Sequence, residues 1–176
     1  MRQSQLHDCI ALVLGQRDGE QSYARLQPQR IISRNTVTEY TERGIRILLA
    51  EDNIINQKVA QSILGKLGCK ADVVGNGREA VKALELINYD LVLMDCLMPE
   101  MDGFEATAMI REPGSKVLNH AVPIIAMTAN AMRGDRENCL EAGMDDYLAK
   151  PVKKEELAGI IEKWYMTTGE AGVTMT

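Results

Sequence analysis

Five polar residues stand directly after short apolar runs in this sequence, and their side chains together suit phosphoryl transfer. Glu51 and Asp52 follow one run, Asp95 follows a second, Thr128 a third and Lys150 a fourth. Taken singly, an Asp after a strand is most often a cap or turn residue. A Lys before proline is most often a solvated turn residue, and a Thr at a strand end is usually just a β-branched residue in its preferred place. Only the joint occurrence of all five residues at the ends of apolar runs indicates a reactive site.

The chemistry that such a set can perform depends on a cation. Three carboxylates close together repel one another, and Mg²⁺ accepts one or two carboxylates while keeping sites for water and phosphate oxygens. Beside Mg²⁺, an ionised aspartate can attack phosphorus and form an aspartyl phosphate. Lys150 would then bring positive charge to the phosphoryl oxygens, and Thr128 would bring a hydroxyl.

These side chains can meet only if the apolar runs are strands of one sheet. The sequence predicts five strands, at Ile45–Ala50, Ala71–Val74, Leu91–Met94, Ile124–Met127 and Tyr147–Ala149. The stretches between them have helical periodicity. We expect a first helix capped by Asn53 and ended by Gly68, a second starting at Asn76, and three more at Phe104–Arg111, Met132–Glu141 and Lys153–Trp164.

The apolar positions of these helices predict their buried faces. For the first helix the expected face is Ile55, Val59, Ile63 and Leu67. For the second it is Ala80, Val81, Leu84 and Ile87, and for the last Leu157, Ile160, Ile161 and Trp164. Five β-α units in about 120 residues predict a parallel sheet with helices on both faces and right-handed crossovers. In such sheets, sites form at the carboxyl ends of the strands.

Composition excludes several other classes of protein. The net charge of -5 and a pI near 5.1 argue against nucleic acid as a direct partner. No run of about 18 apolar residues is present, so we expect no membrane span and no direct membrane contact. The cysteines, Cys9, Cys69, Cys96 and Cys139, are far apart and form no C-x-x-C pair, so neither a structural zinc site nor a disulfide framework is expected.

Both ends of the chain differ from the middle. Residues 15–44 and 167–176 contain few apolar residues, which is typical of a linker and a flexible tail. Residues 1–14 have the same pattern as the last helix, a polar lead followed by an apolar helical face. This parallel indicates a short internal repeat.

Four motifs are specific enough to indicate a family. They are Leu48–Asn53 (LLAEDN), Leu93–Gly103 (LMDCLMPEMDG), Ile125–Ala131 (IAMTANA) and Tyr147–Pro151 (YLAKP). With them, residues 45–166 resemble the receiver domain of response regulators, most closely the receivers at the end of hybrid sensor histidine kinases. The resemblance implies a flavodoxin-like, doubly wound α/β fold with a five-stranded parallel sheet of order 2-1-3-4-5 and five helices. It also implies a cis bond between Lys150 and Pro151. Together with the short internal repeat, the resemblance of residues 45–166 implies that residues 1–14 are the terminal helix of a preceding, similar domain and that the chain is a fragment of a longer protein.

The resemblance further implies a role for each site residue. Asp95 would be the phosphoacceptor, supplied by a phosphohistidine. Asp52 and Asp95 would ligate Mg²⁺ directly, with the backbone carbonyl of Leu97 as a third ligand, and Glu51 would assist through water. Lys150 would pair with the acceptor carboxylate and then with the phosphoryl group.

Two residues would report the modification to the rest of the domain. Thr128 would swing toward the phosphoryl oxygen, and Tyr147 would turn inward as the aromatic switch. The expected partners are the phosphohistidine donor on a kinase dimerisation domain, or a histidine phosphotransfer protein, and a dimer is left open. We expect a cytoplasmic segment that is not itself an enzyme, in a parent chain that is a histidine protein kinase.

Two competing functions are weighed against this interpretation. A phosphatase with an aspartyl-phosphate intermediate would carry a second Asp two residues after its nucleophile, and that position is Leu97. A degenerate receiver that only binds a partner would lack some of the site residues, and all of them are present here.

Overall fold

The five expected strands form one parallel sheet in the computed structural model, which describes residues 44–129 and 133–170. The strand order is β2-β1-β3-β4-β5, which confirms the flavodoxin-like topology. Strands and helices alternate along the chain as β1 (Arg46–Ala50), α1 (Ile54–Lys66), β2 (Lys70–Val74), α2 (Gly77–Leu86), β3 (Leu91–Asp95), α3 (Gly103–Arg111), β4 (Ile124–Thr128), α4 (Arg133–Glu141), β5 (Asp146–Ala149) and α5 (Lys154–Glu170).

Two hydrophobic layers cover the two faces of the sheet, because side chains alternate along each strand. In β1, Leu48 packs into the layer that contains residues of α2, α3 and α4. Its neighbours Ile47 and Leu49 pack into the layer that contains residues of α1 and α5. All five residues of β3 and of β4 are buried, as expected for central strands covered on both sides.

The predicted face of α1 is wrong in part. Ile55 is 72% exposed and Val59 is 45% exposed, whereas Ala60 and Leu64 carry the buried side of the helix together with Leu67 at its end. The helix is rotated about its axis relative to the predicted orientation, so that the small side chain of Ala60 packs against the sheet. An apolar strip is therefore left in solvent. The faces expected for α2 and α5 are confirmed, since their apolar residues are buried or half-buried.

Side-chain caps begin three of the helices at the carboxyl edge of the sheet. Asn53 accepts hydrogen bonds from the first amides of α1, and Asn76 does the same for α2. Asp102 and Glu105 form a reciprocal capping box at α3.

Gly68, which follows α1, has a φ of 77°, in the left-handed region that favours glycine. The Lys150–Pro151 bond is cis, as the resemblance implied.

The last helix is longer than expected. α5 continues to Glu170, four residues into the segment 167–176 that was predicted as a tail. The terminal helix expected at 1–14, the linker at 15–44 apart from its last residue, and residues 171–176 lie outside the described part of the chain. Among the described helices, none is long and apolar enough to cross a membrane.

Arg111, at the end of α3, ties together three segments that sequence reasoning did not connect. Its guanidinium group donates to the carbonyl oxygens of His120, Val122 and Gly143 at 2.6, 2.9 and 3.0 Å. It also pairs with the Asp145 carboxylate at 2.7 Å. The planar fork of arginine satisfies all four acceptors at once, which a lysine cannot do.

Replacing Arg111 should therefore destabilise the domain. We expect Arg111→Met to lower the free energy of unfolding by roughly 2–3 kcal/mol, because it leaves partly buried acceptors without a donor. Arg111→Lys should recover less than half of that loss. Urea denaturation followed by circular dichroism measures both. Arg78→Met, at an exposed position of α2, is the matched control and should change the unfolding free energy little; equal stability of the Arg78 and Arg111 variants would contradict this account.

Candidate active site at the carboxyl edge of the sheet

A cleft of about 400 Å³ opens where β1, β3, β4 and β5 end. It contains every residue expected in the site except Tyr147. The parallel arrangement produces this convergence, because the carboxyl ends of all strands lie at one edge. The cleft is lined by Glu51, Asp52, Asn53, Asn56, Asp95, Cys96, Leu97, Phe104, Thr128, Ala129, Cys139 and Lys150.

Three carboxylates converge in this cleft. Glu51, Asp52 and Asp95 each place an oxygen within 4.8 Å of the other two. Glu51 and Asp95 are buried, at 2% and 5% exposure, while Asp52 is open to solvent. Hard oxygen ligands with one open side fit a hydrated divalent cation such as Mg²⁺, which retains several waters when it binds protein.

Lys150 lies between two of these carboxylates. Its Nζ is 2.6 Å from Asp95 Oδ2 and 2.6 Å from Glu51 Oε2. Burial lowers the pKa of Lys150, but the hydrogen bonds that its ammonium group donates to Asp95 and Glu51 outweigh burial and hold its pKa above the usual value. The pair with Asp95 was expected from the sequence. The equally short pair with Glu51 was not, because Glu51 was expected only to assist a metal through water.

The electrostatic balance at Asp95 leaves room for more positive charge. Burial raises the pKa of Asp95, and the nearby Glu51 carboxylate raises it further. Lys150 and the Leu97 backbone amide, which donates to Asp95 Oδ1 at 3.3 Å, lower the pKa without cancelling the increase. Burial is the first cause of this increase, and by count the cleft places three carboxylates around one ammonium group.

Sequence reasoning missed the residues that hold Glu51. Asn56 Nδ2 donates to Glu51 Oε1 at 2.9 Å, and the Asn53 backbone amide donates to the same oxygen at 3.3 Å. Gln57 Nε2 donates to the Glu51 backbone carbonyl at 2.6 Å. All three donors come from the cap and first turn of α1. The available signal was the three amide residues Asn53, Asn56 and Gln57 around Ile54 and Ile55 at the start of the predicted helix.

The other predicted site residues occupy two places. Thr128 is buried at the end of β4, and its carbonyl oxygen accepts from the Lys150 backbone amide at 2.8 Å. Leu97 lines the cleft with its side chain 73% exposed. Tyr147 lies outside the cleft, half-buried on β5, with the Arg136 guanidinium 5.6 Å from its ring centre.

The cysteines of the described residues are free thiols, Cys69, Cys96 and Cys139. Cys96 and Cys139 approach to 3.8 Å between their sulfur atoms. Burial raises the pKa of Cys96 well above its usual range, and the nearby Cys139 thiol raises it further. Both residues line the cleft and pack as small apolar side chains into the hydrophobic layer that contains residues of α2, α3 and α4.

Comparison with known proteins gives one family. Residues 47–162 match the family model described as the response regulator receiver domain. Hybrid signal transduction histidine kinase B of Dictyostelium discoideum is 44% identical over 72% of this chain. The sensor histidine kinase GacS of Pseudomonas protegens is 38% identical over 80% of this chain. The matched segments amount to 7% and 14% of those two proteins.

Solved structures agree with this family. The receiver domain of sensor histidine kinase PA1611 from Pseudomonas aeruginosa is 50% identical with a TM-score of 0.62, covers 69% of this chain and 97% of its own, and has magnesium coordinated in its active site cleft. The receiver domain of Ssk1 from Saccharomyces cerevisiae, crystallised with the histidine phosphotransfer protein Ypd1, is 35% identical with a TM-score of 0.63, over 69% and 88% of the two chains. The chain belongs to the response regulator receiver domain family, and it is a receiver domain of the two-component phosphorelay type found in hybrid histidine kinases.

Proposed function

We propose that Asp95 accepts a phosphoryl group from a phosphohistidine in a Mg²⁺-dependent reaction. The supporting observation is the buried Asp95 carboxylate at the end of β3, 2.6 Å from Lys150 and grouped with the carboxylates of Glu51 and Asp52. The longer hybrid kinases that this chain matches suggest that it works inside, or beside, a histidine kinase.

The carboxylates of Asp52 and Asp95 would hold Mg²⁺, together with the backbone carbonyl of Leu97, and Glu51 would assist through water. When bound, Mg²⁺ neutralises the charge on the reacting phosphoryl group. Asp95 would act as the nucleophile because its carboxylate lines the cleft. Two features support a Mg²⁺ ion at this place: the cleft is open to solvent at Asp52, and the three carboxylates carry more negative charge than Lys150 alone neutralises.

The remaining roles follow from position. Lys150 moves from the acceptor carboxylate to the phosphoryl oxygens, since an ammonium group has three donors and needs no fixed geometry. Thr128 contributes its hydroxyl from the next strand end. Tyr147, two residues before the end of β5, would change its packing when Thr128 moves, and so bias a two-state equilibrium of the β4–β5 face. Leu97 has no proton to give, which speaks against a phosphatase.

The donor would dock on an apolar surface beside the cleft. This α1 surface consists of Ile54, Ile55 and Val59, which are 64%, 72% and 45% exposed. Because α1 starts at the carboxyl edge of the sheet, the surface borders the cleft entrance, and Leu97 extends the apolar area from the other side. A histidine phosphotransfer protein or a kinase dimerisation domain would have to bring its phosphohistidine to this entrance.

Loss of the acceptor carboxylate should abolish modification. We expect the chain to gain a phosphoryl group from acetyl phosphate in the presence of Mg²⁺, and Asp95→Asn to remain unlabelled, because an amide is not a nucleophile toward phosphorus here. Intact-protein mass spectrometry measures the added mass. Asp102→Asn is the matched control, since Asn also caps helices well, and it should be labelled like the parent chain; labelling of Asp95→Asn at the parent rate would refute the assignment.

Binding of Mg²⁺ should stabilise the fold. A ligand at a hundred times its dissociation constant adds about 2.7 kcal/mol to the free energy of unfolding. We therefore expect saturating MgCl₂ to raise the melting temperature by several degrees, and EDTA to reverse the increase. Asp52→Asn should remove the increase while leaving the metal-free melting temperature close to that of the parent chain, because Asp52 is exposed. Differential scanning calorimetry measures each value, and a Mg²⁺ effect that survives in Asp52→Asn would count against this metal site.

A substitution in the α1 surface should slow phosphotransfer from a protein donor but not labelling by acetyl phosphate. We expect Ile55→Glu to slow phosphotransfer from a phosphorylated histidine phosphotransfer protein at least tenfold, because a charge would be buried in the contact. Labelling by acetyl phosphate should stay within twofold of the parent. Leu86→Glu is the control, since Leu86 is 76% exposed but ends α2 at the opposite edge of the sheet. Equal transfer rates for the two variants would exclude the α1 surface as the docking site.

A further inference from the structure

We propose that Asn56 is a positioning residue that fixes the orientation of the Glu51 carboxylate in the cleft. The inference rests on the proposed function, because it concerns how the same site receives a divalent cation and the phosphoryl group. Asn56 sits in the first turn of α1 and lines the cleft beside Glu51. Its side-chain amide donates to Glu51 Oε1 at 2.9 Å, the shorter of the two hydrogen bonds described above for that oxygen.

Glu51 needs such support because of its length. A glutamate side chain rotates about three bonds, one more than aspartate, so its carboxylate is less restricted by the backbone. Here the carboxylate is buried, with Oε2 against Lys150 and Oε1 against Asn56. The two oxygens thus have different partners on opposite sides, and the carboxylate plane is held between α1 and the end of β5.

Without the Asn56 amide, the Glu51 carboxylate would keep only the longer hydrogen bond from the Asn53 amide at Oε1 and the Lys150 contact at Oε2, and it would turn more readily. One rotation brings both of its oxygens to Lys150, which weakens the contact of Lys150 with Asp95. Another brings it toward Asp95 and Asp52, which increases the repulsion among the three carboxylates. Either change alters the place where a hydrated cation and its waters must fit. Residues that orient the groups around a metal typically affect its affinity 10- to 100-fold.

Gln57 offers a matched control in the same helical turn. Its side-chain amide donates to the backbone carbonyl of Glu51 at 2.6 Å, not to the carboxylate. Removing either amide deletes one side-chain hydrogen bond between α1 and the end of β1. Of these two substitutions, only that of Asn56 deletes a contact of the carboxylate itself, so a difference between the two variants separates orientation of the carboxylate from stability of the fold.

The test is a set of Mg²⁺ titrations by isothermal calorimetry on the full 176-residue chain. We expect Asn56→Ala to weaken Mg²⁺ binding about tenfold, and Asn56→Asp to weaken it at least as much, because a carboxylate would then face Glu51 Oε1. Gln57→Ala should stay within twofold of the parent. Urea denaturation of each variant checks that Asn56→Ala and Gln57→Ala have similar stability.

A double-mutant cycle gives a readout that a purely structural role would not move. Glu51→Asp shortens the side chain by one methylene and withdraws the carboxylate from Asn56. In that background Asn56→Ala should change Mg²⁺ affinity less than twofold, so the two substitutions are strongly non-additive. The labelling rate of Asp95 by acetyl phosphate should show the same coupling.

The possible failures are distinct. Full additivity of the Asn56 and Glu51 substitutions, or equal Mg²⁺ affinity of Asn56→Ala and Gln57→Ala, overturns the role of Asn56 while the metal site stands. A parent chain that binds no Mg²⁺ and is not labelled at Asp95 overturns the proposed function, and this inference with it.

Discussion

The contact of Lys150 with two buried carboxylates is the interaction on which the site depends. Asp95 and Glu51 are placed 2.6 Å from the same ammonium nitrogen by the ends of β3, β1 and β5. Bringing two carboxylates out of water is costly, and a single partner charge offsets only part of that cost. The pKa of Asp95 is raised first by its burial and further by the neighbouring Glu51 carboxylate. Three carboxylates around one ammonium group favour the binding of a divalent cation, and the proposed cation would in turn offset the negative charge of a phosphoryl group.

Tight backbone packing fixes the position of Asp95 and Cys96 at the end of β3. Gly103, the first residue of α3, donates its amide to the Cys96 carbonyl at 3.1 Å. A Cβ atom at this position would lie 2.2 Å from the Asp95 carbonyl oxygen, which no side chain tolerates. The start of α3 is therefore packed directly on the backbone of Asp95, the proposed phosphoacceptor. The absence of a side chain at residue 103 is what permits this close approach.

Three sides of α1 have three different roles in the structure. Ala60 and Leu64 pack against the sheet, the amides of its first turn hold Glu51, and the α1 surface stays exposed beside the cleft. A modest rotation of the helix links these roles, since turning Ile55 inward would carry Asn56 away from the Glu51 carboxylate. Substitutions in the exposed and the polar sides of α1 are thus expected to separate partner binding from chemistry.

The sequence by itself determined the fold class, the strand order and the group of residues that meets in the cleft. Apolar runs spaced by amphipathic stretches leave few alternatives to a parallel sheet, and the four motifs supplied the family. Only the tertiary structure decided how α1 is rotated, that Lys150 contacts Glu51 as closely as Asp95, and that Arg111 joins distant loops. Hydrophobic periodicity predicts the buried face of a helix only to within about one residue of rotation about the helix axis. It carries no information on which residues distant in the sequence form contacts. The rotation of a helix and the contacts between distant residues are decided by helix packing and by the length of the side chains, and both depend on the assembled sheet.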